Sequence, residues 1–228
     1  MDVYLETGPK KSFACALDWP GYCRSGKTDD EALATLARYG DRYRAVVGRE
    51  SGFSPPGSAS DLVVRERLKG GSGTDFGIPS GEAKADARPV DASELSRLRS
   101  LLTASWAAFD ATADAATGRG LRTGPRGGGR DLDKIVDHVL GAEEAYVKGI
   151  GRSTADLRAA IAGSPDRMTA VRALALETMA DRARGVPLPE NPRRKAKIWS
   201  VRYFARRSAW HALDHAWEIE DRAEPPLR

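Results

Sequence analysis

The chain has 228 residues, 30% charged and 41% hydrophobic, enough to bury the core of one large or two small soluble domains; no apolar run approaches the ~18 residues of a membrane span, and Met1-Asp2-Val3-Tyr4 does not begin a secretory signal. Two cysteines, Cys15 and Cys23, are too few for a disulfide scaffold and suit a reducing compartment, so a cytoplasmic protein with two structural thiols is expected. The net charge of +4 falls entirely in residues 91–228, and so mild an excess demands neither nucleic acid nor a membrane as partner.

In chain order, Val3-Tyr4-Leu5 and Phe13 to Leu17 read as β-strands separated by the turn Gly8-Pro9-Lys10-Lys11. Pro20-Gly21 marks a second turn and Tyr22-Cys23 the start of a third strand. Thr28-Asp29-Asp30-Glu31 has capping-box spacing, and Ala32, Leu33, Leu36, Tyr39 and Tyr43 continue it as one amphipathic helix. Leu62 to Leu68 reads as a last strand. Through Phe13, the run Asp18-Trp19-Pro20-Gly21-Tyr22, Gly26, Thr28, Glu31, Ala32 and Leu33, residues 1–70 resemble the HicB-like family. That resemblance implies a compact αβ domain of antitoxin type. The DNA-binding segment usual in the family does not follow here, so an accessory or partner-binding domain is expected.

Gly70-Gly71-Ser72-Gly73 opens a polar stretch running to about Val90, and residues 71–91 have the composition of a flexible linker. Residues 92–228 read as helical throughout. Asp91 to Glu94 cap a helix striped by Leu95, Leu98, Leu102, Trp106 and Phe109. A Gly- and Arg-rich loop, Gly118 to Arg130, precedes a second helix from about Asp131, with Ile135, His138, Ala142 and Ala145 on one face. A short helix follows Ser153, a third long one starts at Ser164-Pro165 and stops at Gly185, and a fourth spans about Lys195 to Arg222. Four long helices predict an all-α four-helix bundle.

The chain has three histidines, His138, His211 and His215. The last two are four residues apart, about 40° around a helix axis, so both imidazoles can reach one point. His138 faces the bundle interior, where facing helices build metal sites, and three neutral imidazoles leave an ion open to water or substrate. On His138 within Ile135 to Glu143, and on the pair in Trp210 to His215, residues 92–225 resemble the DinB/YfiT-like four-helix-bundle metalloproteins. The resemblance implies one divalent ion held by the three histidines, zinc or nickel first, with iron or manganese as alternatives. It also implies thiol transfer or hydrolysis, the former with a low-molecular-weight thiol co-substrate.

Around the pair, Arg207 and Glu218 are candidate catalytic or orienting groups, set against an Arg–Glu surface network as the alternative. Glu143 and Glu144 read as solvated in preference to a general base, and Trp210 and Trp217 as packing residues in preference to substrate platforms. The loop ends roughly 10 Å by helical rise from His138, and Arg126 and Arg130 are its candidate contacts to a carboxylate or phosphate. The expected whole is a HicB-like α+β domain joined to a DinB-like bundle, acting on a small anionic molecule. A homodimer is compatible with it, and nucleic acid is not an expected partner. The alternative is a non-catalytic binding protein with a structural metal, whose first domain contacts RNA or a protein.

Overall fold

The computed structural model describes residues 1–124, 129–188 and 197–225. They form an α+β structure with a four-stranded sheet near the amino terminus and, among the described residues, eight α-helices. The strands are β1 (Asp2–Thr7), β2 (Ser12–Ala16), β3 (Cys23–Gly26) and β4 (Val63–Lys69), in the order β3-β2-β1-β4. β1 runs antiparallel to β2 and parallel to β4. Alternation along the strands divides the two faces. Val3, Leu5, Ala14 and Ala16 join one buried cluster, and Tyr4, Phe13, Cys15 and Cys23 another. Edge strand β4 alternates exposed and half-buried positions and carries Arg65, Glu66, Arg67 and Lys69, the charges that discourage pairing with another sheet.

Cys15 and Cys23 oppose each other across β2 and β3 and are joined as a disulfide. This corrects the expectation of two thiols, and their scarcity no longer argues for a reducing compartment. No helix among the described residues is long and apolar enough to cross a membrane.

Thr28 caps α1 (Asp29–Arg38), its hydroxyl accepting from the Glu31 amide at 3.2 Å. The Glu31 carboxylate accepts from the Lys27 amide, one residue earlier than in a reciprocal box. The single helix expected through Tyr43 is two: α1 ends at Tyr39, and α2 covers Gly40–Val47. Tyr39 leaves the helix with its ring 5.1 Å from Trp217 and the Arg24 guanidinium 4.3 Å from its centroid.

Residues 71–91 are ordered, contrary to the flexible-linker reading. They contain α3 (Ser72–Phe76) and a 3-10 turn at Lys84–Ala87, and they bury Thr74, Ala83 and Asp86. Glu6 of β1, 1% exposed, holds this segment by accepting from the Thr74 hydroxyl (2.6 Å) and from the amides of Ser80 (3.1 Å) and Gly81 (2.6 Å). Glycine here supplies a turn: Gly77 ends α3 at φ 114°, a backbone that side chains disfavour.

The long helices are α4 (Ala92–Ala116), α5 (Leu132–Gly149), α7 (Arg167–Ala183) and α8 (Val201–Arg222), with the shorter α6 at Thr154–Ala162. Asp91, Asp131 and Ser153 cap α4, α5 and α6 at the expected places. α7 begins two residues later than Ser164-Pro165 suggests, because the Asp166 carboxylate takes the Thr169 amide at 2.8 Å. α8 begins at Val201 behind the Ser200 cap; of the earlier start expected at Lys195, residues 195–196 lie outside the described residues and 197–200 are not helical. Glu143 is buried, not solvated, and pairs through both oxygens with Arg172 at 3.0 and 3.3 Å. Burial pushes its carboxyl up to about 7, with Arg172 opposing.

α8 organises the molecule. Sixteen of its 22 residues are buried, so it is enclosed on nearly every side. Ala205, Ala209, Ala212, Ala216 and Ile219 pack into the core shared by α4, α5 and α7. Leu213 and Trp217 join the cluster of Val3, Leu5, Leu36 and Tyr43, and Trp210 joins that of Tyr4 and Phe13. The Pro20-Gly21 turn docks here too: Gly21 has φ 91°, and a Cβ on it would lie 2.8 Å from Leu213 Cδ1. The halves therefore share buried surface, where separate cores were expected. Residues 92–228 expressed alone are expected to lose the native state, with red-shifted tryptophan emission and a broad urea transition. A fragment with native-like emission and a sharp transition would show that α8 does not need the sheet.

Candidate metal centre

The stripe of α5 that carries His138 continues through Ala142 to Tyr146, and α8 presents His211 and His215 against it. The Nε2 atoms of His138 and His211 are 3.2 Å apart. Ring centroids lie 5.1 Å (His138–His211), 4.9 Å (His138–His215) and 4.7 Å (His211–His215) apart. One nitrogen from each ring falls within 4.8 Å of the other two, a group able to hold a metal ion. For comparison, two imidazoles at tetrahedral zinc are about 3.3 Å apart, from Zn–N bonds of ~2.0–2.1 Å. His211 and His215 are buried and His138 is half-buried.

The electrostatics favour the neutral form of two of these rings, His138 and His211. Burial holds His211 well below the usual imidazole value, assisted by the charges of His215, Arg207, His138 and Arg130. Burial also lowers His138, helped by His215 and Arg130 and opposed by Glu218. A neutral ring has a free lone pair, the form that binds a cation. His215 directs Nδ1 to Glu218 Oε2 at 2.8 Å. Because a carboxylate only accepts, this contact places a proton on Nδ1, so that in the neutral ring Nε2 is the lone-pair atom. That hydrogen bond, with the guanidinium of Arg222, holds the Glu218 carboxyl below its usual range. Arg222 in turn donates to the carbonyls of Arg122 (2.8 Å) and Arg130 (2.7 Å), tying the Gly- and Arg-rich loop to the end of α8.

The three histidines line a cavity of about 800 Å³. Arg207 lines it as well, its guanidinium 4.7 Å from the Trp210 ring centroid and 5.5 Å from that of Tyr146, and donating to the Pro79 carbonyl at 3.1 Å. Arg207 and Glu218 therefore share the cavity but are not paired with each other; Glu218 does belong to an Arg–Glu pair, with Arg222, as the network alternative had it. Arg130 lines the same cavity and an adjoining polar pocket of about 470 Å³ with Arg119 and Arg222. Arg126 lies outside the described residues. Trp210 and Trp217 pack in the core as expected, yet both also reach the cavity wall.

Several site residues escaped the sequence reading. Tyr146 had a usable signal, since it follows His138 and Ala142 at intervals of four. The Glu218–Arg222 pair was likewise legible at i,i+4. Arg24 of β3, Phe76 at the end of α3, and Gly77 and Ile78 after it complete the wall from the other half of the chain, and no local pattern announces them. Among known proteins, the chain matches no family model, no curated protein and no solved structure.

Proposed function

We propose that this chain binds one divalent metal ion through His138, His211 and His215 and is a metal-dependent enzyme acting on a small anionic molecule by thiol transfer or hydrolysis. The observation that carries the reading is the convergence of three imidazoles on one large cavity, two of them with Nε2 atoms 3.2 Å apart and their protonation suppressed by burial. With both Nε2 atoms unprotonated, a cation satisfies the two lone pairs at once. Among the described residues the group contains no fourth histidine, cysteine or carboxylate, so a bound ion would keep a position free for a ligand from the cavity. We read α4, α5, α7 and α8 as a DinB-like bundle and residues 1–70 as HicB-like on the resemblances given above. Zinc or nickel suits an all-imidazole donor set.

When bound, the ion would supply Lewis acidity and lower the pKa of a water or thiol. The protein's own groups have separate tasks. Glu218 fixes the His215 tautomer, Arg222 holds Glu218, and Arg130 and Arg207 attract the anionic partner. The alternative, a structural metal in a binding protein, would require a closed coordination shell, which the open cavity disfavours. The test is elemental analysis after zinc or nickel reconstitution, followed by an electrophile offered with and without low-molecular-weight thiols. One ion per chain and a conjugate or hydrolysis product are expected. No retained ion overturns the metal centre, and a loaded protein inert to both reactions overturns the enzymatic reading.

A further inference from the structure

We propose that the loop from Thr74 to Gly81 is the specificity wall of the histidine cavity, and that the ligand it selects is an amphipathic carboxylate with a flat apolar body. This deepens the proposed function and rests on that cavity being the substrate site, though not on which metal it holds.

Five cationic side chains line the cavity, and their partners separate them. Arg24 pairs with Asp214, Lys134 with Asp131 and Arg222 with Glu218. Arg130 and Arg207 have no carboxylate partner among the described residues. Arg207 is the better placed. It is half-buried, lies over the Tyr146 and Trp210 rings, and spends donors on the Pro79 carbonyl and the Tyr146 hydroxyl. A guanidinium has five N–H donors in a planar fork, so it retains donors for a carboxylate and an orientation fixed by its stacking.

The apolar part of the ligand has an equally specific counterpart. Phe76 is 72% exposed at this cavity and is the largest exposed apolar side chain among the described residues; Ile78 lines the wall beside it. Exposed apolar surface facing a pocket gains when a ligand's flat face covers it. The loop is also rigid where it must be. Glu6 accepts three hydrogen bonds from it, the Tyr203 hydroxyl donates to the Ser80 carbonyl at 3.0 Å, and Arg207 holds Pro79. Fastened from both β1 and α8, the wall is preorganised, which reduces the entropy lost on binding. The sheet thus acquires a task in the site: it holds the loop that faces the histidines.

The test uses the full-length chain, both stripped by chelator and loaded with zinc. Tryptophan fluorescence, reporting through Trp210 and Trp217, follows titration with 3-phenylpropionate, its neutral amide, and propionate. The aromatic acid should bind at least about tenfold more tightly than either comparator, the usual scale of a charge-assisted hydrogen bond. Arg207→Gln should erase the preference for acid over amide. Phe76→Ala, at a mostly exposed position that spares the core, should erase the preference for the aromatic acid over propionate. Equal binding of acid and amide, or a Phe76→Ala protein identical to wild type, overturns the proposal. Acid binding by a chain that retains no zinc would instead overturn the metal reading alone, and zinc retention without acid binding would overturn this one alone.

Discussion

Replacing His211 with alanine is expected to remove the divalent ion, lowering affinity by more than about a hundredfold, since outer-sphere partners of metal-bound histidines are alone worth ~10–100-fold. His211 is the most central of the three imidazoles: its Nε2 faces that of His138, and its ring lies 4.7 Å from His215 and 5.7 Å from Tyr146. Two remaining histidines would bind far more weakly than three. Glu218→Gln should produce a smaller loss, within that ~10–100-fold range, because the amide can still accept from His215 Nδ1 but no longer carries the charge that strengthens the imidazole as a donor to metal. Isothermal titration with zinc, with circular dichroism as a check on folding, measures both. A folded His211→Ala protein with wild-type stoichiometry and affinity would place the ion elsewhere or nowhere.

The largest stability effect is expected at Arg206→Met, a loss of about 3–5 kcal/mol, the range for breaking a buried ion pair. Arg206 is 5% exposed and Asp86 3%, and both oxygens of Asp86 receive its N–H groups. The same guanidinium donates to the Tyr4 hydroxyl and lies 4.6 Å from that ring's centroid. Removing the cation leaves a buried carboxylate with the Ala83 amide as its remaining donor among the described residues. The cost comes mainly from that stranded charge, so adding Asp86→Asn to Arg206→Met should recover part of the loss instead of adding to it. Urea unfolding gives the two values and their coupling, and the single variant should melt roughly 10 °C lower for a chain of this size. A single-variant loss below about 1 kcal/mol, the scale of exposed pairs, would mean that water reaches Asp86. Because this network joins β1, the Lys84–Ala87 turn and α8, sheet and helices should unfold in one transition.

Local signals made much of this molecule readable. The first strands, the Thr28, Asp91, Asp131 and Ser153 caps, and the His211–His215 spacing all rest on contacts within a few residues, so the pattern and its cause lie in one window of chain. His138 was identifiable because it is one of only three histidines and lies on an apolar helical face. What stayed hidden depends on partners far apart in the chain. Glu143 reads as solvated until Arg172, on another helix, is brought to it. Residues 71–91 read as a linker because glycine, proline and alanine mark both flexible chain and tight ordered turns. Partners distant in the chain, among them Glu6, Tyr203, Arg206 and Arg207, show that this segment is held.

The amino-acid sequence by itself determined where most of the helices and strands form and which three side chains can meet a metal, because period, capping and ligand chemistry are local properties. Tertiary structure alone decided that α8 is buried between the sheet and the other helices, that two of the buried clusters combine residues of both halves, and that Phe76 and Ile78 line the same cavity as the histidines. The physical reason is that burial and cavity shape arise between surfaces brought together from distant stretches of chain: Tyr4 meets Arg206 across 202 positions, and neither neighbourhood carries a mark of the other.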